Sequence, residues 1–367
     1  MKSALFISAM LCAMLAVGGN ADQKESSNRK EKKMDFIYGM TQGFFAPRGY
    51  YRTKAAEESV ERLRQHGVNF VALVVNQYQE KYYSTRIFPS NVRTPDDDEL
   101  ALHIRRLHAA GIRVMLKPMV DPLDSVWRGY IHHRRSVGVI ADVTSDYVTP
   151  WFESYREFIL RYADLAEKEK CEVFCIGCEL DGMEHYGEEW RDIVKMVRRH
   201  YSGLVTFNTT KGLSHDRDWF RDLDFVGFSG YFVVGPSDRT SSREEMAENW
   251  KEWKNKLKEF HDWVGKPIFF AETGTRPVVG AAGITADFNR TAPTYSEQEQ
   301  ADYYSATLDA LDTEDWFLGT VWWKLDEFQK RPNYILPDGH YVGCEPTETL
   351  RRTMLERSKK KLTRNLK

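Results

Sequence analysis

Two glutamates stand where few structural reasons would put them. Glu179 ends the apolar run Cys171-Glu172-Val173-Phe174-Cys175-Ile176-Gly177-Cys178, and Glu272 ends a second run, Pro267-Ile268-Phe269-Phe270-Ala271. Runs of this length and composition read as strands buried on both faces, as in parallel sheets. A carboxylate at the end of such a strand is costly unless it has a charge partner or a reaction to run. Two carboxylates facing each other can divide the work of a displacement. One attacks as a nucleophile, and the other donates a proton and later recovers it.

Whether they face each other depends on the elements that carry them. From residue 36 onward a unit recurs: an amphipathic helix, a tight turn often with Gly, then a short apolar strand ending in polar or aromatic residues. Strands are expected over residues 36–39, 70–75, 113–116, 204–208, 225–231 and 318–323, in addition to the two runs above. Helices are expected over 53–66, 94–110, 150–169, 188–201, 243–264, 296–311 and 347–359, with Gly67 and Gly111 placed as C-caps. Eight strands alternating with helices predict an α/β fold, a single (β/α)8 TIM barrel. The competitor is an open doubly wound sheet. That fold usually carries a glycine-rich phosphate loop after its first strand, and no G-x-G-x-x-G or Walker pattern occurs there.

The apolar fraction, 42% of 367 residues, is ample for one large core, and a formal net charge of −2 gives no reason to expect nucleic acid or an anionic membrane as partner. Ten Trp, 18 Tyr and 20 Phe are generous for this length. Most belong in the core, and sugar-binding clefts are a common destination for the surplus. Residues 1–21 have the layout of a cleaved signal peptide: a lysine, an apolar block too short to span a membrane, then Gly19-Asn20-Ala21. Residues 22–33 read as a disordered tether and 34–367 as the barrel, closing with a helix and a solvated basic tail. Secretion, or export to a periplasm, is therefore expected, with no membrane association after the leader is removed. Alternation along the strand sends Cys175 and Cys178 to opposite faces, which argues against a shared metal. A disulfide to Cys344 stays open. No metal or other cofactor is called for, and the chain is expected to be a monomer.

In a barrel the reactive groups gather at the carboxyl ends of the strands. Those ends carry Asn76, Lys117, Asp121, Glu179, Asn208, Tyr231, Glu272 and the pair Trp322-Trp323. Acidic, amide and aromatic groups suit a sugar, with hydroxyls to bond and apolar faces to stack. Strands four and seven stand across the barrel from each other, so their glutamates can approach over its mouth. Two carboxylates about 5 Å apart are what retaining glycoside hydrolysis requires. Structural ion pairs are the competing role: for the two glutamates generally, and for Lys117 with Asp121 or Glu179. Tyr231 could instead pack with its phenylalanine neighbours, and only one of Trp322 and Trp323 can face the cleft.

With these residues in place, the chain resembles the clan A glycoside hydrolases, and within them family 113, the β-1,4-mannanases. The resemblance rests on Leu116-Lys117-Pro118 with Asp121, Trp127-Arg128-Gly129, Phe174-Cys175-Ile176-Gly177-Cys178-Glu179-Leu180 and Phe270-Ala271-Glu272-Thr273-Gly274. It implies a retaining hydrolase of β-1,4-linked mannan or manno-oligosaccharides, with Glu179 as acid/base and Glu272 as nucleophile. It further implies that Tyr231 bonds the nucleophile and that Trp322 or Trp323 floors the sugar under attack. Lys117 and Asp121 would bond substrate hydroxyls, with Asn76 and Asn208 as further candidates and Trp127 as a cleft wall. One departure concerns the substrate. Much of the clan places Asn before the acid/base to bond the sugar 2-hydroxyl, whereas Cys178 stands here, and a thiol is a poor substitute. Alternatives are a clan A hydrolase of another β-glycan (glucan, xylan or galactan) and a catalytically silent carbohydrate-binding barrel.

Overall fold

The computed structural model describes residues 32–137, 144–210, 213–287, 294–327 and 332–366. The expected signal peptide and most of the tether lie outside them. Every expected strand forms. They are β1 (Ile37–Gln42), β2 (Phe70–Gln79), β3 (Arg113–Pro122), β4 (Val173–Cys178), β5 (Leu204–Thr209), β6 (Val226–Ser229), β7 (Ile268–Thr273) and β8 (Phe317–Trp322). They hydrogen-bond in chain order, all parallel, and β8 returns to β1 to close a barrel. The surrounding helices are α1 (Lys54–Gln65), α2 (Asp97–Ala109), α3 (Val148–Lys168), α4 (Gly187–His200), α5 (Arg243–Val264), α6 (Glu297–Leu311) and α7 (Glu348–Ser358). The architecture is the (β/α)8 barrel that the alternation predicts.

Local chemistry sets the helix ends. Thr53, Ser242 and Thr347 each accept a backbone N–H from the first turn of their helix, and Asp96 with Glu99 completes a capping box at α2. Alternation along each strand then divides the apolar side chains. Ile37, Ala72, Met115, Val173, Phe269 and Ala271 fill the barrel, while Tyr38, Leu73, Leu116, Phe174 and Phe270 face the helices.

The first and last described stretches depart from expectation. The C-terminal stretch, expected to be solvated, pairs as strand Thr363–Leu366 with Lys32–Asp35, which includes the last residues of the expected tether. Met34 and Leu366 are buried with Phe70, Phe225 and Leu318, so this two-stranded sheet stoppers the amino-terminal end of the barrel. Arg364 fastens it, donating from Nε to the Phe317 carbonyl at 3.0 Å and from Nη2 to that of Asp312. The apolar residues within the basic stretch supply the reason, and the charge hid them.

A second departure bears on the site. The register of β4 against β5 shifts between Cys175 and Cys178. The irregularity reverses the alternation, so both thiols point into the barrel rather than to opposite faces. Cys175 packs low in the interior, and Cys178 packs above it against Val74 and Met119. All four cysteines in the described residues are free and buried.

Candidate active site

Glu179 follows the irregular end of β4 and carries φ 52°, a left-handed conformation that a side-chain-bearing residue adopts at a cost. Its own N–H donates to the Asn208 carbonyl at 2.7 Å, which holds the turn. Glu272 lies within β7 and is braced on both sides. Its carbonyl accepts from Gly230 N–H at 2.6 Å, and the next carbonyl, of Thr273, accepts from Trp323 N–H at 2.7 Å. Gly274, with φ 156°, takes the chain away from this point. A Cβ there would lie 2.8 Å from the Trp323 carbonyl.

The two carboxylates line one cavity of about 540 Å³, together with Phe44, Trp127, Arg128, Tyr231, Trp323 and Lys324. Their surroundings differ in kind. Beneath Glu272 lies Lys117, fully buried, with Nζ 2.5 Å from Oε1. The Tyr231 hydroxyl donates to Oε2 at 3.3 Å, and the Cys178 thiol lies 3.5 Å from Oε1. Around Glu179 the partners are donors of a different sort. Ser229 Oγ donates to Oε1 at 2.6 Å, and Trp127 Nε1 and Arg128 Nη1 each donate to Oε2 at 3.1 Å.

A continuous chain of hydrogen bonds joins the two. Lys117 Nζ donates to Asn208 Oδ1 at 2.7 Å, Asn208 Nδ2 donates to Ser229 Oγ at 2.9 Å, and Ser229 donates onward to Glu179. Every donor in it points from the Lys117 cation toward Glu179, so each bond polarises the next.

Burial dominates the electrostatics. It pushes the Glu272 carboxyl above the usual carboxylate range; Lys117 pulls it back, and Glu179 pushes it up again. Burial alone would discharge Lys117, but the Glu272 carboxylate 2.5 Å from its Nζ opposes that, and the ammonium keeps its charge. Burial raises the Cys178 thiol well above its ordinary value, leaving a neutral group beside Glu272. Tyr231 is raised in the same way, first by burial and then by Glu272, and stays a donor.

The sequence-predicted residues therefore fall into four groups. Glu179, Glu272, Tyr231, Trp127 and Trp323 face the cavity. Trp322 does not: it is fully buried against Tyr303 and Tyr304 of α6, with Nε1 donating to the Cys344 carbonyl at 2.9 Å. Lys117, Cys178 and Asn208 lie under the carboxylates rather than beside an incoming sugar. The Lys117 ion pair is with Glu272, not with Asp121 or Glu179. Asp121 instead holds Arg128, at 2.9 Å to Nε and 2.7 Å to Nη2. Asn76 donates to the Phe44 carbonyl at 2.9 Å.

Sequence reasoning missed Ser229, Arg128 and Phe44 as parts of this site. Ser229 had a legible signal, since it lies near the carboxyl end of the strand expected over 225–231, two residues before Tyr231; in the fold it is the register partner of Glu272. Phe44 is placed by Gly43, at φ 101°, where a Cβ would lie 2.4 Å from the Val74 carbonyl. The Gly43 N–H donates to Glu327 at 2.6 Å, so the loop after β1 is tied to the loop after β8. Phe44 meets Trp323 edge-on, with ring centroids 4.9 Å apart.

Comparison with known proteins agrees with this geometry. The model of Glycoside Hydrolase Family 113 matches residues 40–342. The β-mannanase of Alicyclobacillus acidocaldarius, solved in complex with ManMIm, is 29% identical, with TM-score 0.75 over 89% of this chain and 98% of that one. A second solved GH113 β-1,4-mannanase is 27% identical, with TM-score 0.74 over 89% and 99% of the two chains. The β-glucuronidase of Faecalibacterium prausnitzii shares the fold alone, at 15% identity and TM-score 0.56 over 89% of this chain and 49% of that one. None of the curated proteins compared with the chain matches it. The carboxylate pair, the barrel that carries it and the family match agree, and the chain belongs to glycoside hydrolase family 113, an enzyme whose substrate is a carbohydrate.

Proposed function

We propose that the protein hydrolyses β-1,4-linked mannan or manno-oligosaccharides with retention of configuration, by double displacement. The observation that carries this reading is the unlike surroundings of two carboxylates in one cavity. Glu272 sits on a buried ammonium, which favours the ionised form that a nucleophile needs. Glu179 takes neutral donors from Ser229 and Trp127 and shares the Arg128 guanidinium with Asp121. In the first step Glu272 attacks the anomeric carbon from the α face while Glu179 gives its proton to the departing glycosidic oxygen. A water then attacks the glycosyl ester, and Glu179 takes the proton from that water. Tyr231 holds Oε2 of Glu272, leaving the carboxylate a fixed orientation toward the sugar. Trp323 offers its face to the ring under attack. Exposure of the protein outside the cell, suggested by residues 1–21, is part of the proposal. Following the first-formed anomer by proton NMR during hydrolysis of mannan oligosaccharides tests the reading, with β-anomer first as the expected result. Parallel rates on glucan and xylan oligosaccharides test the substrate, with the manno-series expected to be fastest.

Two substitutions probe the supporting residues. Ser229→Ala removes the 2.6 Å donor from Glu179. A hydrogen bond to a charged group contributes about 1.5–3 kcal/mol, so kcat is expected to fall about 10- to 100-fold with the thermal midpoint little changed. An unchanged kcat would show that the bond does nothing for the reaction. Trp323→Ala removes the cavity floor, and kcat/KM is expected to fall about 100-fold. The matching control is Trp322→Phe, which should show its effect in the melting temperature, because Trp322 is core.

A further inference from the structure

Lys117, Asn208 and Ser229 are all buried beneath the two carboxylates. They come from three different strands, β3, β5 and β6, and together they bridge Glu272 on β7 to Glu179 at the end of β4. Chemistry fixes the direction of the bridge. An ammonium has only donors, so the Asn208 amide must turn Oδ1 to Lys117 Nζ, 2.7 Å away. Its Nδ2 is then left for Ser229 Oγ at 2.9 Å and the Thr209 carbonyl at 3.1 Å. Ser229 Oγ, having accepted from the amide, places its own hydrogen on Glu179 Oε1 at 2.6 Å. No link can reverse while Lys117 holds its charge. In the resting protein Lys117 Nζ serves Glu272 Oε1 at 2.5 Å as well as Asn208. Conversion of Glu272 to a glycosyl ester removes that carboxylate charge. The other titratable groups facing Lys117 are Cys175 and Cys178, thiols that burial holds in the neutral form, so neither takes over as counter-ion. An ammonium without a counter-ion polarises its remaining acceptor more strongly, and each bond along the chain strengthens in turn. A stronger donor at Oε1 favours the carboxylate form of Glu179.

We infer that Asn208 and Ser229 are positioning residues that relay the charge state of Glu272 to Glu179, so that the acid/base binds its proton tightly while Glu272 is free and weakly once the ester has formed. The inference rests on the proposed function. The two steps make opposite demands on Glu179, a proton to give in the first and an empty carboxylate in the second. Direct repulsion between the two glutamates acts in the same sense. Arg128 from the loop after β3, Asp181 and Cys178 on either side of Glu179 in the chain, and Tyr231 after β6 also face it. None of these influences passes through Asn208, so cutting the chain there separates the relay from all of them.

The test measures the pKa of Glu179 twice, by NMR titration of isotope-labelled glutamate carboxyls: in the free protein, and after Glu272 has been trapped as the 2-deoxy-2-fluoromannosyl ester. The readout is the gap between the two values. Asn208→Leu cuts the chain in the middle at nearly constant volume, and Ser229→Ala cuts it at the Glu179 end, so one variant remains if the other does not fold. Each is expected to narrow the gap by at least about half a pH unit, the scale of a polarised hydrogen bond to an ionised group. Ser229→Thr keeps the hydroxyl and is expected to keep the gap. In kinetics on an aryl β-mannoside whose ester hydrolysis limits turnover, the acidic limb of kcat should move up further than the basic limb of kcat/KM. A change of packing alone lowers rates without separating the two limbs. A gap as wide as that of the wild type in either cut variant overturns the relay and leaves the proposed function standing. A wild-type protein in which the fluorosugar forms no ester on Glu272 overturns the proposed function, and the relay with it.

Discussion

Glu272→Ala is expected to lower turnover of manno-oligosaccharides by at least about 10⁴-fold, the scale seen when an enzyme loses its nucleophile. Added azide should restore part of the activity on an activated aryl mannoside and give the α-mannosyl azide. The small anion then occupies the space left beside Lys117 and attacks once, so configuration inverts. Glu179→Ala should behave in the opposite sense. Its Glu272 can still form the ester with an activated leaving group, and azide arriving on the Glu179 side should yield the β-mannosyl azide. The two stereochemical outcomes assign the two roles independently of rate. The same azide anomer from both variants would remove the distinction on which the mechanism depends.

Lys117→Met has the second large expected effect, and it should be readable in three ways. The ammonium is buried and 2.5 Å from Glu272, so its loss leaves a carboxylate in a low-dielectric site without its charge partner. Removing one member of a buried pair costs about 3–5 kcal/mol at a pH where the other stays charged. The Glu272 carboxyl is already raised by burial and held down by Lys117, so the variant should raise it further. The acidic limb of kcat/KM, which reports ionisation of Glu272 in the free enzyme, is then expected to move to higher pH. For stability the sign is as follows. A carboxyl whose folded pKa exceeds its unfolded value binds more protons in the folded state. Stability therefore falls as pH rises from the unfolded toward the folded pKa. The gap in thermal midpoint between wild type and Lys117→Met should accordingly widen from acidic to neutral pH. A gap of equal size at both ends would mean that Lys117 matters through packing rather than charge. Lys117→Arg is the conservative control, and its larger planar head should not restore activity in the space between Asn208 and Glu272.

What the sequence revealed follows from what repeats in it. Apolar runs between amphipathic helices made all eight strands legible, and from the strand order the meeting of Glu179 and Glu272 over one mouth followed. Single irregularities were not legible. The register shift after Cys175 leaves no mark in composition, yet it turns Cys178 inward, next to Glu272. The partner of Lys117 could not be read because an inward-facing strand residue can reach across the barrel interior, and Glu272 lies across it rather than along its own loop. The tryptophan pair required knowledge of which side of β8 meets α6. At the C-terminus the charge of a basic stretch hides Leu366, which belongs to the stopper of the barrel, and Arg364, which is buried.

Cys178 has a different place from the one its position in the sequence suggests. As the residue before the acid/base it was expected to meet the sugar 2-hydroxyl, but it lies under Glu272, packed with Val74 and Met119. The groups that reach Glu179 are supplied by other strands: Ser229 from β6, and Arg128 with Trp127 from the loop after β3. Specificity for the sugar's second hydroxyl is therefore to be sought among groups that line the cavity, not in the thiol.

Double displacement requires that Glu272 become covalently attached to the sugar. Incubation with 2-deoxy-2-fluoro-β-mannosyl fluoride, followed by proteolysis and mass spectrometry of the peptides, measures this. The expected result is a single fluoromannosyl adduct on the peptide that contains Phe270-Ala271-Glu272, absent from Glu272→Ala. An adduct on the peptide that contains Glu179, or inactivation with the label on any other residue, would contradict it.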